Sequence, residues 1–273
     1  MIMVTAVISF IFRDQLPSLL TAVNVGSDFI KAERSEAAIY FPDAGNAGCA
    51  IVKTPDAAIL IDCGREKAQH DIIAVLDDLN IETIDMAVLT HPDSDHIGDF
   101  ARVSQEKTIS SFVTCEYSLA GGNEGYDKLS ETLISSGIKC ECTHTGDVYT
   151  FGDTVITVIS PDKIYNDSND NSVVMKLEYG NHTALFTGDI SSKAERDILN
   201  SNADIKADIL QVPHHGSAGS STTEFLEAVK PKTAVISAQE SRYLPSGEAI
   251  ARLRECGCEI RRTDEEHGVM ITW

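Results

Sequence analysis

Over most of the chain, apolar residues fall in short runs separated by turn residues. Residues 39–41 and 49–53 are two such runs, flanking a Pro/Gly/Asn turn (PDAGNAG), and 57–61 is a third that ends at Asp62-Cys63-Gly64. Runs of about four to eight apolar residues between turn formers are the texture of buried strands. Over 67–79 the spacing changes, with Ile72, Ile73, Leu76 and Leu79 recurring at helical intervals, and 86–89 returns to a strand that runs into Thr90-His91. From residue 147 the texture is of hairpins. Strands are predicted over 148–151, 155–159, 172–179 and 183–187, with Gly152-Asp153 and Gly180-Asn181 at the turns. Helices are predicted over 195–199, 222–229 and 250–256, and strands over 207–212, 233–237 and 269–272. Near the amino end, 16–36 predicts a helix with Pro17 in its first turn. Alternating strands and helices give an α/β fold.

The pattern contains an internal echo. AAILIDCG (57–64) parallels TALFTGD (183–189): both are apolar strands ending at an Asp beside a Gly. MAVLTHPDSDH (86–96) parallels DILQVPHHGS (208–217): both are strands ending in a histidine-bearing loop. Two similar halves, each a sheet against helices, would bring these polar strand ends into one cleft.

Length and charge narrow the picture. A chain of 273 residues with 42% hydrophobic residues accommodates one large domain. No linker composition breaks it, and 39–273 is expected to be that domain, preceded by an N-terminal segment over 1–38. The apolar run at 4–12 is too short to span a bilayer, which takes about 20 residues. It predicts a buried element or the remnant of an export signal. The formal charge of −20, from 22 Lys and Arg against 42 Asp and Glu, opposes generic binding to nucleic acid or anionic lipid. Seven cysteines in CxC or isolated positions match neither a disulfide framework nor a zinc knuckle. They are expected to be ordinary thiols in a reducing, cytoplasmic setting, or an exported one if the N-terminus is a signal remnant.

The densest chemistry is His91-Pro92-Asp93-Ser94-Asp95-His96. Four ligand-type side chains directly after an apolar strand are costly to cluster unless cations neutralise them. On an extended loop, 91, 93 and 95 share a direction while 96 points away, so the loop can serve two ions: His91 and Asp93 the first, Asp95 and His96 the second. Asp189, at the end of 183–187, is either the cap of the following helix or a carboxylate shared by both ions. Beside the histidine loop, the second role is the expected one. His214-His215 ends 207–212. We assign His214, nearer the strand, as a ligand, and His215 to a substrate oxygen or to general-acid work. Asp62 is expected to orient a ligand, and Asp95, His215 and Asp62 to be the residues serving catalysis.

HPDSDHIGD, LFTGD and VPHHGS, in this order, resemble the metallo-β-lactamase superfamily, and most closely its ComEC-type competence-protein branch, in which an Asp stands where Asp93 does. FPDAGNAGCAIVKT (41–54), NDNSVVMKLEYG (169–180) and RRTDEEHGVMI (261–271) extend the resemblance from residue 39 to 273. It implies a four-layered αββα sandwich, two divalent cations (Zn or Mn), and hydrolysis of phosphodiester bonds in DNA or small phosphoesters by activated water. Departures accompany it. Gly48 stands where the branch has an Asp. Leu244-Pro245-Ser246 replaces a His-Pro pair. The histidine that many superfamily members carry between the first loop and Asp189 is matched only by His144 and His182, both read as ordinary. The segment 169–172 is expected to fill that corner with amide or hydroxyl groups, and Asn171, Ser172, Lys176, Ser217 and Arg242 are the expected substrate contacts. The acidic balance favours small substrates and the resemblance favours DNA. The rival reading is a non-catalytic or single-metal binding module that keeps the fold.

Overall fold

The computed structural model describes residues 35–66, 71–120, 124–239, 241 and 243–273. The apolar run at 4–12, the helix expected over 16–36 except for its last two residues, and Arg242 lie outside them.

The strands follow in chain order: β1 (Ala38–Phe41), β2 (Ala50–Lys53), β3 (Ala58–Ile61), β4 (Thr83–Ile84), β5 (Met86–Val88), β6 (Thr108–Ile109), β7 (Phe112–Thr114), β8 (Cys140–Cys142), β9 (Val148–Phe151), β10 (Thr154–Ser160), β11 (Val174–Tyr179), β12 (His182–Phe186), β13 (Ile209–Gln211), β14 (Thr233–Ile236), β15 (Glu259–Arg262) and β16 (Val269–Thr272). They form two seven-stranded sheets, ordered β16-β1-β2-β3-β5-β7-β8 and β15-β14-β13-β12-β11-β10-β9, with β4 and β6 as a separate short pair. The echo in the sequence is an echo in topology. In the first sheet an antiparallel β2–β3 pair leads into parallel β3, β5, β7 and β8. In the second, antiparallel β11–β12 leads into parallel β12, β13, β14 and β15. β16 returns to pair with β1 and ties the chain's end to the first half.

Alternation along the strands sorts side chains into three apolar layers. Ile51, Leu60 and Ala87 face outward onto Ile72 and Leu76 of the helix Ile72–Asp78, Phe100 and Val103 of Phe100–Glu106, and Leu129 of Glu124–Ser136. Phe41, Ile61 and Val88 face inward and meet Val158, Met175 and Phe186 of the second sheet. Leu185, Leu210 and Ala234 face Ile198, Phe225 and Leu253 on the helices Ser192–Ser201, Thr223–Val229 and Gly247–Cys256. The result is helix, sheet, sheet, helix. Each large side chain buried this way stabilises the fold by about 1.5–3 kcal/mol.

All seven cysteines are free thiols. Among the described residues no helix is long and apolar enough to cross a membrane. For function, the decisive feature is that the parallel strands β3, β5, β12 and β13 end on the same side. Asp62, His91, Asp189 and His214 are therefore delivered to one edge, as ligand sites in open α/β sheets usually are.

Candidate metal centre

The loop after β5 is tighter than the extended segment expected from sequence. Asp93 is the last extended residue (φ −71°, ψ 149°), and Ser94–Ile97 forms one helical turn. That turn, rather than strand-like alternation, separates Asp93 from Asp95 and His96. It is pinned from below, where Cys63 N–H donates to the His96 carbonyl at 2.6 Å and Gly48 N–H to that of Asp95 at 3.0 Å. His91 and His96 are wholly buried, and Asp189 nearly so.

Two groups of closely spaced ligand atoms result: His91 with His96 and Asp189, and Asp95 with His96 and His215. Asp189 stands between the imidazoles, with Oδ1 3.4 Å from His96 Nε2 and Oδ2 3.4 Å from His215 Nε2. Asp95 Oδ2 is 3.9 Å from His215 Nε2, and Asp93 Oδ2 is 3.7 Å from His91 Nε2. Asp189 does not cap the next helix, because Ser191 does so by accepting from Lys193 N–H.

Hydrogen bonds fix the face each imidazole presents. His96 Nδ1–H donates to Asp62 at 2.7 Å, and His215 Nδ1–H donates to the Ser237 carbonyl at 3.0 Å. His91 Nδ1 lies 3.1 Å from Thr90 Oγ1 and 3.3 Å from Ser172 Oγ. Both hydroxyl protons are already committed, Thr90's to Asp62 and Ser172's to the Asn169 carbonyl. Both oxygens therefore accept, and His91 carries its proton on Nδ1. All three rings turn Nε2 toward the cluster, and all three Nε2 atoms are buried without a hydrogen-bond partner. A buried polar atom left unpaired costs about 1–3 kcal/mol, and three of them facing one carboxylate make a fitting donor set for divalent cations.

Electrostatics agree with the geometry. Burial, then the neighbouring His96, holds His91 well below the usual imidazole range, so its lone pair is available. Burial would raise Asp189, but His215 and His96 outweigh it and keep the carboxyl well below the usual range. Burial would lower His96, but Asp189 and Asp62 raise it well above. Asp93 is raised by its partial burial and then by Asp95.

His214 is in neither ligand group; it is half-exposed and its ring centroid lies 6.3 Å from that of His215. Its neighbour is the buried one, because the backbone bends sharply. His214 and His215 both take positive φ, 49° and 53°, which turns the second ring inward. Such strained pairs persist where surroundings enforce them. Gly48 fits the space rather than vacating it: a Cβ there would stand 2.4 Å from the His96 ring and 2.9 Å from Asp62 Oδ2. His144 pairs with Asp147 at the surface, and exposed His182 stacks on Trp273, so neither approaches the centre. Ser172 Oγ lies 3.3 Å from His91 Nδ1, behind the ring rather than at the Nε2 that faces the cluster, and accepts Asp189 N–H at 3.0 Å. Asn171 spends its amide on Tyr165 and Asp167, so it braces the loop instead of facing a ligand. Lys176 is buried against Asp204 at 2.7 Å and Glu178 at 3.6 Å, with no cationic head left to receive a phosphate. Ser217 is half-exposed and accepts Gly219 N–H at 3.3 Å. Arg65 Nη2 is 3.2 Å from Asp95 Oδ2, a contact that nothing in the sequence DCGRE marks.

Residues 42–240 match the family described as the metallo-beta-lactamase superfamily. The chain belongs to that superfamily. ComE operon protein 3 of Bacillus subtilis (strain 168) is 30% identical over 253 residues, covering 85% of this chain and 32% of that one. Competence protein ComA of Neisseria gonorrhoeae is 30% identical over 236 residues, covering 84% and 31%. The chain thus spans about a third of the length of these curated relatives. Among solved structures, the metallo-β-lactamase fold protein YhfI from Bacillus subtilis superposes with a TM-score of 0.58 at 14% identity, covering 87% of this chain and all (100%) of that one. At that identity the likeness is one of fold.

Proposed function

We propose that this superfamily member is a hydrolase that holds two divalent cations, Zn²⁺ or Mn²⁺, and acts on phosphodiester bonds. The observation that carries the reading is the convergence of three buried, partnerless Nε2 atoms on Asp189. His91, Asp93 and Asp189 would hold one cation, and Asp95, His96, Asp189 and His215 the other. Bound cations supply Lewis acidity, lowering the pKa of water and polarising a phosphoryl oxygen. The protein's own residues do the rest. Asp62 fixes the His96 tautomer through Nδ1, the Ser237 carbonyl does the same for His215, and Thr90 and Ser172 do so for His91. Asp189 stays ionised and keeps negative charge between the two groups. His214, half-exposed with its ring centroid 6.3 Å from that of His215, would donate a proton to the departing oxygen, the role expected from sequence for its neighbour. The phosphodiester substrate draws support from a relative named as a competence protein and, at 25% identity over 201 residues, one named as a recombination protein of Haemophilus influenzae.

The test is hydrolysis of bis(p-nitrophenyl) phosphate by protein saturated with Mn²⁺ or Zn²⁺. Turnover by the wild type, lost by at least 100-fold in His215→Ala, is expected. Absence of turnover in protein shown to hold two cations would overturn the phosphodiester reading.

A further inference from the structure

A cavity of about 550 Å³ opens beside the ligand loop, lined by Arg65, Glu66, Asp93, Asp95, Ile97 and Lys128 among others. Asp93 and Asp95 belong to both the cavity and the proposed cation centre, so the two spaces are contiguous. Two of the chain's few cationic side chains meet here, in a molecule with a formal charge of −20. Arg65 comes from the loop after β3, and Lys128 from the helix Glu124–Ser136. Neither is buried in a structural pair. Arg65 is 55% exposed; its Nη2 touches Asp95 Oδ2 at 3.2 Å and the Asn46 carbonyl at 3.3 Å. Lys128 is 38% exposed, donates to the Gly98 carbonyl at 2.8 Å, and stands 3.7 Å from Glu66, itself 67% exposed. Solvent-accessible pairs of this kind are weak and readily exchanged. Lys107 offers a contrast. Its side chain is 3% exposed and held between Asp77 and Glu82, as a structural cation should be.

Among the carboxylates lining the cavity, Asp95 accepts from Arg65 at 3.2 Å and Glu66 stands 3.7 Å from Lys128, both in solvent-accessible pairs, while Asp93 lies against His91. A planar guanidinium and an ammonium reaching one space from two elements fit a phosphate, the first by a two-pronged contact and the second as a point charge. Resting on the phosphodiester reading above, the geometry points to Arg65 and Lys128 as the subsite for a second, non-reacting phosphate next to the scissile one. The preferred substrate then carries a phosphomonoester or a further diester one nucleotide from the bond cleaved. The reaction stays a simple hydrolysis: one water is consumed, one P–O ester bond breaks, and the sugar oxygen that leaves takes up a proton.

The test compares dithymidylate with its 5′-phosphorylated form, resolved by chromatography, in protein loaded with Mn²⁺. The wild type should show a kcat/KM at least 10-fold higher for the phosphorylated dinucleotide, carried mainly by KM. Lys128→Ala and Arg65→Lys should each reduce that ratio by 5-fold or more. Because the ratio is taken within one variant, general damage to the fold or to cation content cancels. Lys232→Ala is the control, since Lys232 sits at the opposite end of the parallel strands, paired with Asp208, and it should keep the wild-type ratio. A wild-type ratio near one, or a ratio unchanged in both variants, overturns the subsite. Failure to turn over either dinucleotide or bis(p-nitrophenyl) phosphate, with two cations bound, instead sinks the phosphodiester reading beneath it.

Discussion

At the scale of single residues, the centre depends on which nitrogen each histidine leaves open. Asp62 does this for His96 from a strained position of its own, with φ at 57°. Asp62→Ala should lower cation affinity about 10–100-fold, the usual effect of removing a carboxylate that orients a ligand, measured by chelator competition. His215→Ala should lose a cation, whereas His214→Ala should keep both and lose turnover; the reverse would restore the assignment read from sequence. Gly48→Ala forces a Cβ into the His96 ring and should destabilise the protein by about 1–3 kcal/mol in urea unfolding. Most residues of the proposed centre were legible in sequence because His91 to His96, Asp189 and His214-His215 are compact motifs at strand ends. The choice between His214 and His215 was not. It depends on two consecutive left-handed residues, and proximity to a strand says nothing about which ring the bend turns inward.

At the scale of elements, the buried Glu195 joins the helix Ser192–Ser201 to the segment after His215. It accepts hydrogen bonds from the amide N–H groups of Ser221 and Thr222 and from Thr222 Oγ1, while Arg252 donates to the carbonyls of Ala218, Ser220 and Ser221. Glu195→Ala would strand several buried donors and should cost about 2–4 kcal/mol, read by urea unfolding. The strands that lead to the proposed centre were legible because β3 and β5 are buried apolar runs and the carboxyl-terminal part of β12, Ala184–Phe186, is buried and apolar as well. The element β15 was not. As an edge strand with the sequence EIRR and only partial burial, it lacks the apolar alternation that marks a strand. Between residues 97 and 146 the helix Glu124–Ser136 is also not apparent from sequence, since its mean hydropathy is close to neutral.

At the scale of the whole molecule, the repeated topology explains why one cluster draws on both halves of the chain. The first half supplies Asp62, His91, Asp93, Asp95 and His96, and the second supplies Asp189 and His215. Cations should therefore hold the halves together. At 100 times the dissociation constant, one bound ion stabilises the native state by about 2.7 kcal/mol, so chelation should lower the melting temperature measurably. The raised His96 means that a proton occupies Nε2 up to a higher pH than for an ordinary imidazole. Cation binding should accordingly release a proton and weaken as pH falls, which calorimetry in buffers of different ionisation enthalpy will register. The most direct test of the central claim is the number of cations bound per chain, counted by titration calorimetry with Mn²⁺ or Zn²⁺ for the wild type and for Asp189→Asn. Two are expected for the wild type and at most one for the variant; a single ion in the wild type, or two in both, rules out a paired-cation centre shared through Asp189.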